Sequence, residues 1–205
     1  MKKTIYLFRH GAVEEAYDGR CRGSTDCELS EQGMLMAQAN AEFLIRQKID
    51  AIVTTGMKRT DYMGKLVVEA LDIPNITYPE LAEMRLGKWE GQRWDAICKE
   101  TPELYAAFSR DPLSVHVPSA EDPEDYRKRV IDGWQRITEY PASSIGVNSH
   151  RITNAIILAH IRQTTAKLEQ EAGCMNEIEV TDDGARIVRE NVILFEDGLR
   201  EKPHK

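Results

Sequence analysis

Apolar residues fall along this chain in two alternating rhythms. The apolar run Ile5 to Phe8 reads as a short buried strand, the stretches Ile49 to Val53 and Ile76 to Tyr78 as further strands, and "SIGVNS" from Ser144 to Ser149 as a central strand. Between them stand segments whose apolar positions recur every three or four residues, as on a helix with one face turned to a core. Ser30 is placed to cap the first helix, which carries Met34, Ala37, Ala41, Leu44 and Ile45 on one side. The second carries Met63, Leu66, Val67, Ala70 and Leu71, and Pro74 ends it. Tyr126, Val130, Trp134 and Ile137 mark another helix, and "HRITNAIILAHI" after Ser149 one more. "EIEV" and "ARIVRE", on either side of Asp183 and Gly184, read as a terminal hairpin.

Strands separated by helices build βαβ units. The expected fold is therefore α/β: a three-layer sandwich with a mostly parallel central sheet and helices on both faces. Residues 92–125 interrupt the rhythm, because Pro102, Pro112, Pro118 and Pro123 break helical stretches and no strand-like run occurs. This part is expected to be a partly helical insertion lying over the sheet. With 205 residues the chain can bury one substantial core, so one domain across 1–205 is expected.

Charge narrows the chemistry. The formal net charge is −7, which gives no general attraction to nucleic acid or to an anionic membrane surface. Any phosphate or carboxylate must then be held by a local cluster of arginines. The apolar run after "MKK" is too short for a signal-peptide core, and none approaches a membrane helix, so a cytoplasmic protein is expected. Cys21, Cys27, Cys98 and Cys174 show no CxxC pair or zinc spacing and are read as reduced, structural thiols.

In open α/β sheets, ligands bind where the loops leave the carboxyl ends of the strands. Arg9 and His10 follow the first strand. Thr54 and Thr55, with Arg59 soon after, follow the second; Glu83 lies beyond the third, and His150 ends the fourth. A single arginine or histidine at a strand end is ordinarily a surface residue, but five such groups converging on one edge make a candidate site. Guanidinium forks fit phosphate oxygens in pairs and keep their charge. An imidazole held between them and kept deprotonated by their charge can attack phosphorus as a nucleophile. A nearby carboxyl can give a proton to the leaving group and later take one from water. Glu83 is preferred for that role over Glu90. Trp89 and Trp94 are assigned to packing, His116, His160 and His204 to structural or solvated positions, and Arg20 to bracing its loop through a salt bridge.

Several motifs together resemble the histidine phosphatase, or phosphoglycerate mutase-like, superfamily: "RHG" at 9–11, "GRCRGSTDCELSEQG" at 19–33, "TTGMKRT" at 54–60, "ELAEMRLGKWEG" at 80–91, "AEDPEDYRKRV" at 120–130 and "NSH" at 148–150. The small phosphatase branch, which includes α-ribazole phosphatases, is the most similar. The resemblance implies a phosphoglycerate mutase-like fold and a phosphomonoesterase acting on a small phosphorylated metabolite, such as α-ribazole phosphate or a sugar phosphate. It implies His10 as phosphorylated nucleophile, Arg9, Arg59 and His150 as the phosphate pocket, and Glu83 as proton donor. Gly11, Arg22, Gly23 and Arg151 are expected to bind substrate, with no metal and no cofactor. Monomers and homodimers are both permitted. Mutase-type phosphoryl transfer, or phosphate binding with little turnover, are the alternatives.

The chain also departs from the family pattern. Ala12 and Val13 follow "RHG", where an acidic or amide residue is usual, and Ala16 stands where an asparagine donates to phosphate. Arg151 replaces the usual glycine after the second histidine, and Arg22 replaces a small polar or amide side chain. Arg22 or Arg151 is expected to restore the missing donor or to reach a second anionic group on the substrate.

Overall fold

The computed structural model describes residues 2–14 and 19–195. Ala16 and His204 therefore lie outside the described residues. Six strands form one sheet in the order β3-β2-β4-β1-β5-β6. They are β1 (Lys3–Arg9), β2 (Ala51–Thr54), β3 (Asn75–Thr77), β4 (Ser144–Ser149), β5 (Cys174–Thr181) and β6 (Gly184–Ile193). The first four run parallel, and the terminal hairpin joins β1 antiparallel. The helices are α1 (Glu31–Gln47), α2 (Lys58–Leu71), α3 (Trp94–Glu100), α4 (Pro102–Arg110), α5 (Pro123–Glu139) and α6 (Arg151–Arg162).

Strand alternation sorts these helices into layers, because successive side chains point to opposite faces. Ile5 and Leu7 of β1 pack with Tyr126, Val130 and Ile137 of α5 and with Ile152 and Ile156 of α6. Tyr6 and Phe8 face the other way, onto Ala37, Ala41 and Leu44 of α1 and Met63 and Val67 of α2. The three-layer α/β sandwich expected from the sequence is the one observed.

Local details differ from the sequence expectation. Ser30 does cap α1, its hydroxyl accepting from the Gly33 N–H at 3.0 Å. Ala70 is exposed on α2, whose buried face is instead Arg59, Thr60, Met63, Gly64 and Val67. That helix ends at Leu71, before Pro74, because Asp72 takes the left-handed conformation. The third strand is half-exposed and covers Asn75–Thr77, since it forms an edge of the sheet, paired with β2 on one flank and open on the other. The interrupted segment folds as α3 and α4 followed by a strandless run. Its Trp94 and Phe108 rings lie 6.2 Å apart and nearly parallel.

Candidate active site

The register of the central strands determines where the chemistry meets. β1 pairs in parallel with β4 so that Arg9 stands opposite Ser149, and the His10 N–H donates to the Ser149 carbonyl at 3.0 Å. His10 and His150 consequently leave adjacent strands side by side, with ring centroids 5.3 Å apart. β2 pairs with β4 on the opposite flank, which brings the Thr55 hydroxyl to 3.0 Å from His150 Nε2. Thr55 in turn meets the Thr60 hydroxyl at 3.0 Å, so a line of hydroxyls backs the second histidine.

A cleft of about 100 Å³ opens above these strand ends. Arg9, His10, Arg59 and Glu83 line it together with Arg20, Arg22, Gly23 and Arg151, facing an apolar wall of Leu86, Trp94, Phe108, Ile152 and Leu168. His150 is fully buried beneath the cleft against His10. A larger groove of about 440 Å³ between α6 and β6 has no histidine, and its arginines are paired with Glu190, Glu179 and Glu177. We place the chemistry in the smaller cleft, where groups capable of bond-making converge.

The His10 ring is held in one tautomer. Its Nδ1 lies 2.8 Å from the Gly11 carbonyl, and a carbonyl only accepts, so Nδ1 carries the proton and Nε2 keeps its lone pair. Burial pushes the pKa of His10 well below 6.5, and the charges of Arg59 and Arg9 push it further. The direction agrees with the sequence expectation, but burial outweighs the arginines as the cause. His150 is driven the same way, again first by burial and then by Arg59.

Among the described residues, the guanidiniums of Arg9 at the end of β1 and Arg59 in the first turn of α2 are anchored by carbonyl oxygens rather than by carboxylates. Arg59, only 2% exposed, donates to the Thr25 carbonyl at 2.6 Å and the Gly23 carbonyl at 2.9 Å. Arg9 donates to the Gln170 carbonyl at 2.6 Å. Its pKa is lowered to about 10 by burial and by the neighbouring Arg151, which leaves it a cation at neutral pH. Such uncompensated positive charge is the arrangement that an anion completes. Gly23 has a positive φ of 42°, and a Cβ there would run into Glu90 and the Met84 carbonyl. At Gly11 a Cβ would overlap the Gly33 carbonyl, so glycine lets the loop after β1 press onto the start of α1.

Glu83 reaches the cleft from the turn after β3, with Tyr126, Met84 and Ile152 donating to its carboxylate. Glu90 does different work. It accepts from the Ser24 and Leu86 N–H groups and the Ser24 and Thr25 hydroxyls. Burial pushes its pKa up, but these donors outweigh it and hold the pKa below the usual value, which makes Glu90 the brace of the 23–25 loop. Arg20 also braces a loop, by donating to the Gly91 carbonyl at 2.9 Å, and among the described residues it forms no salt bridge. Trp89 is core, as expected, whereas half-buried Trp94 also lines the cleft. His116 and His160 are exposed. Among the described residues no group of three or more His, Cys, Asp or Glu side chains is placed to hold a metal ion.

Sequence reasoning assigned no role to Thr55, Tyr126, Thr153 or Gln170. Thr55 stood next to a named strand end, which was a usable signal. In the sequence Tyr126 marks only an apolar helix position, and nothing local marks Gln170, whose contact with Arg9 spans 161 residues.

Known proteins share both sequence and fold. The adenosylcobalamin/alpha-ribazole phosphatase of Salmonella typhimurium is 24% identical over 188 residues, covering 89% of this chain and 93% of that protein. The alpha-ribazole phosphatase structure from Shigella flexneri superposes with a TM-score of 0.78 at 23% identity, over 92% of this chain and 96% of that one. A phosphoglycerate mutase structure from Bacillus anthracis gives 0.80 at 21% identity, over 94% of each. Residues 5–193 match the family pattern of branch 1 along nearly the whole sheet and site, and the chain belongs to the histidine phosphatase superfamily.

Proposed function

We propose that the protein is a phosphomonoester hydrolase that works through a phosphohistidine at His10. The observation that carries this is the neutral His10 ring, fixed at Nδ1 by the Gly11 carbonyl, lining a cleft with the buried Arg59 and the partly buried Arg9 guanidiniums. The names of the phosphatase relatives support the same reaction class.

Phosphate monoesters hydrolyse so slowly in water that an enzyme must supply up to ~10²¹-fold acceleration, chiefly by preorganised positive charge around the transferring group. Arg9 and Arg59 supply that charge, and His150 stands beside His10 as a further donor. His10 Nε2 attacks phosphorus, the bond to the leaving oxygen breaks, and Glu83 delivers a proton to that oxygen. Water then attacks the phosphohistidine, giving a proton to Glu83, while the P–N electron pair returns to Nε2. Every step uses side chains of this chain, with no metal or cofactor.

For substrate we propose a small phosphorylated metabolite, with α-ribazole 5'-phosphate and sugar phosphates as members of the class. Arg9 and Arg59 match the two charges of a phosphate monoester. Arg20, Arg22 and Arg151 add a cationic rim, which favours a leaving group with a second anion, and the Trp94 and Phe108 wall favours one with an apolar face.

Incubation with p-nitrophenyl phosphate in the presence of a chelator tests the reaction. Release of p-nitrophenolate and inorganic phosphate is expected, with a loss of ~10³-fold or more in His10→Ala. Binding without release would favour a phosphate-binding protein. Transfer to a phosphoglycerate in preference to water would favour the mutase reaction.

A further inference from the structure

The fold treats the two carboxylate oxygens of Glu83 differently. Oε1 accepts from the Tyr126 hydroxyl at 2.8 Å and from the Met84 N–H at 3.2 Å. Oε2 accepts a single bond, from the Ile152 N–H in the first turn of α6 at 3.1 Å. Tyr126 comes from α5 and is fully buried, and its oxygen also lies 2.8 Å from the hydroxyl of Thr153, likewise fully buried.

Proton counting orders this network. A phenol has one hydrogen to donate and Oε1 only accepts, so the Tyr126 hydrogen lies toward Oε1, and Thr153 gives its own hydrogen to the Tyr126 oxygen at 2.8 Å in preference to the Ala82 carbonyl at 3.4 Å. Burial, and after it the charge of Glu83, raise the Tyr126 pKa well above 10, which keeps the phenol protonated and able to donate. A tyrosine hydroxyl that served packing alone would be satisfied by Thr153. Its second bond ties α5 to the carboxylate that lines the cleft.

Two donors fill Oε1, and one leaves room on Oε2. We propose that Tyr126 is a positioning residue that pins Oε1 of Glu83, so that Oε2 alone carries the proton passed to the leaving group and recovered from water. The inference rests on the phosphatase reading above. In the first step the proton on Oε2 moves to the leaving oxygen as its bond to phosphorus breaks. In the second, a water proton moves to Oε2 as oxygen bonds to phosphorus. Tyr126 keeps its own proton throughout.

Leaving-group chemistry tests this. The quantity to measure is kcat/KM, which reports the step that forms phosphohistidine, for p-nitrophenyl phosphate and for a simple alkyl phosphate in wild type and Tyr126→Phe. Nitrophenolate departs without a proton, whereas an alkoxide needs one. The loss in Tyr126→Phe is expected to be about tenfold greater for the alkyl phosphate than for the aryl one. Both substrates are compared within one preparation, so the ratio does not depend on the fraction of folded protein. Thr153→Val, which frees the hydroxyl to turn, is expected to move the ratio the same way by a smaller factor. Equal losses on both substrates in Tyr126→Phe would overturn the proposal and leave Tyr126 with a packing role. If wild type released phosphate from neither substrate, the phosphatase reading itself would fall, and this inference with it.

Discussion

At the scale of single residues, the two buried imidazoles make stability depend on pH. His10 and His150 both have pKa values held well below 6.5 in the folded protein, while in the unfolded chain they return to about 6.5. Below that pH the unfolded chain binds protons that the folded one refuses. The stabilisation is therefore present above about pH 6.5 and is lost as pH falls toward the depressed folded values, at up to about 1.4 kcal/mol per pH unit for each ring. Carboxylates such as Glu90 act in a lower window, because their folded values lie below 4.5. The melting temperature is expected to drop between about pH 6.5 and pH 5, and His150→Asn to remove roughly half of that drop. An unchanged slope in the variant would mean that His150 is not kept neutral by folding.

At the scale of elements, one arginine on α5 holds the turn that carries Glu83. Asp122 caps α5 by accepting from the Glu124 and Asp125 N–H groups, and Pro123 fits the first turn, where no N–H is needed. Arg129 then points back from this helix. It meets both oxygens of Glu121, at 2.6 and 2.8 Å, and donates to the Glu80, Ala82 and Glu83 carbonyls. Its guanidinium also sits 4.6 Å from the centre of the Tyr126 ring. Arg129→Ala strands a largely buried carboxylate and three carbonyls, and is expected to cost about 3 kcal/mol in urea unfolding. It should also lower turnover by loosening the Glu83 turn. Arg129→Lys should recover little of either, because an ammonium cannot span the fork. The helix itself was legible in the spacing of Tyr126, Val130, Trp134 and Ile137, and the four strand ends were legible from the runs before Arg9, Thr55, Glu83 and His150. The clamp was not, since Arg129 finds its carbonyls up to 49 residues away and their direction depends on a loop with no periodicity. Tyr126 was hidden for a related reason: its ring obeys the helix pattern, and that pattern says nothing about where the hydroxyl ends.

At the scale of the whole molecule, a chain of net charge −7 gathers five guanidiniums around one cleft. The far field repels an anion and the near field attracts one, with salt screening the former beyond about 10 Å at 0.1 M. Arg151 belongs to the near field. Its Nε is tied to the Leu168 carbonyl at 2.9 Å, and it is the neighbouring charge that most lowers the pKa of Arg9. Arg151→Gly is expected to raise KM for a phosphomonoester bearing a second anion about tenfold more than KM for p-nitrophenyl phosphate, a difference of about 1.4 kcal/mol. Equal effects on the two substrates would remove Arg151 from that role.

The position of β1 has an effect in time as well as in space. It leads directly into His10, yet its two sheet neighbours are β4 and β5, and the carbonyl that anchors Arg9 belongs to Gln170. During synthesis the first strand must wait for more than a hundred later residues before either flank is covered, a pairing of high contact order. A nascent chain stalled before β4 would therefore display an unzipped apolar ribbon and no working site, the kind of exposed edge that invites aggregation.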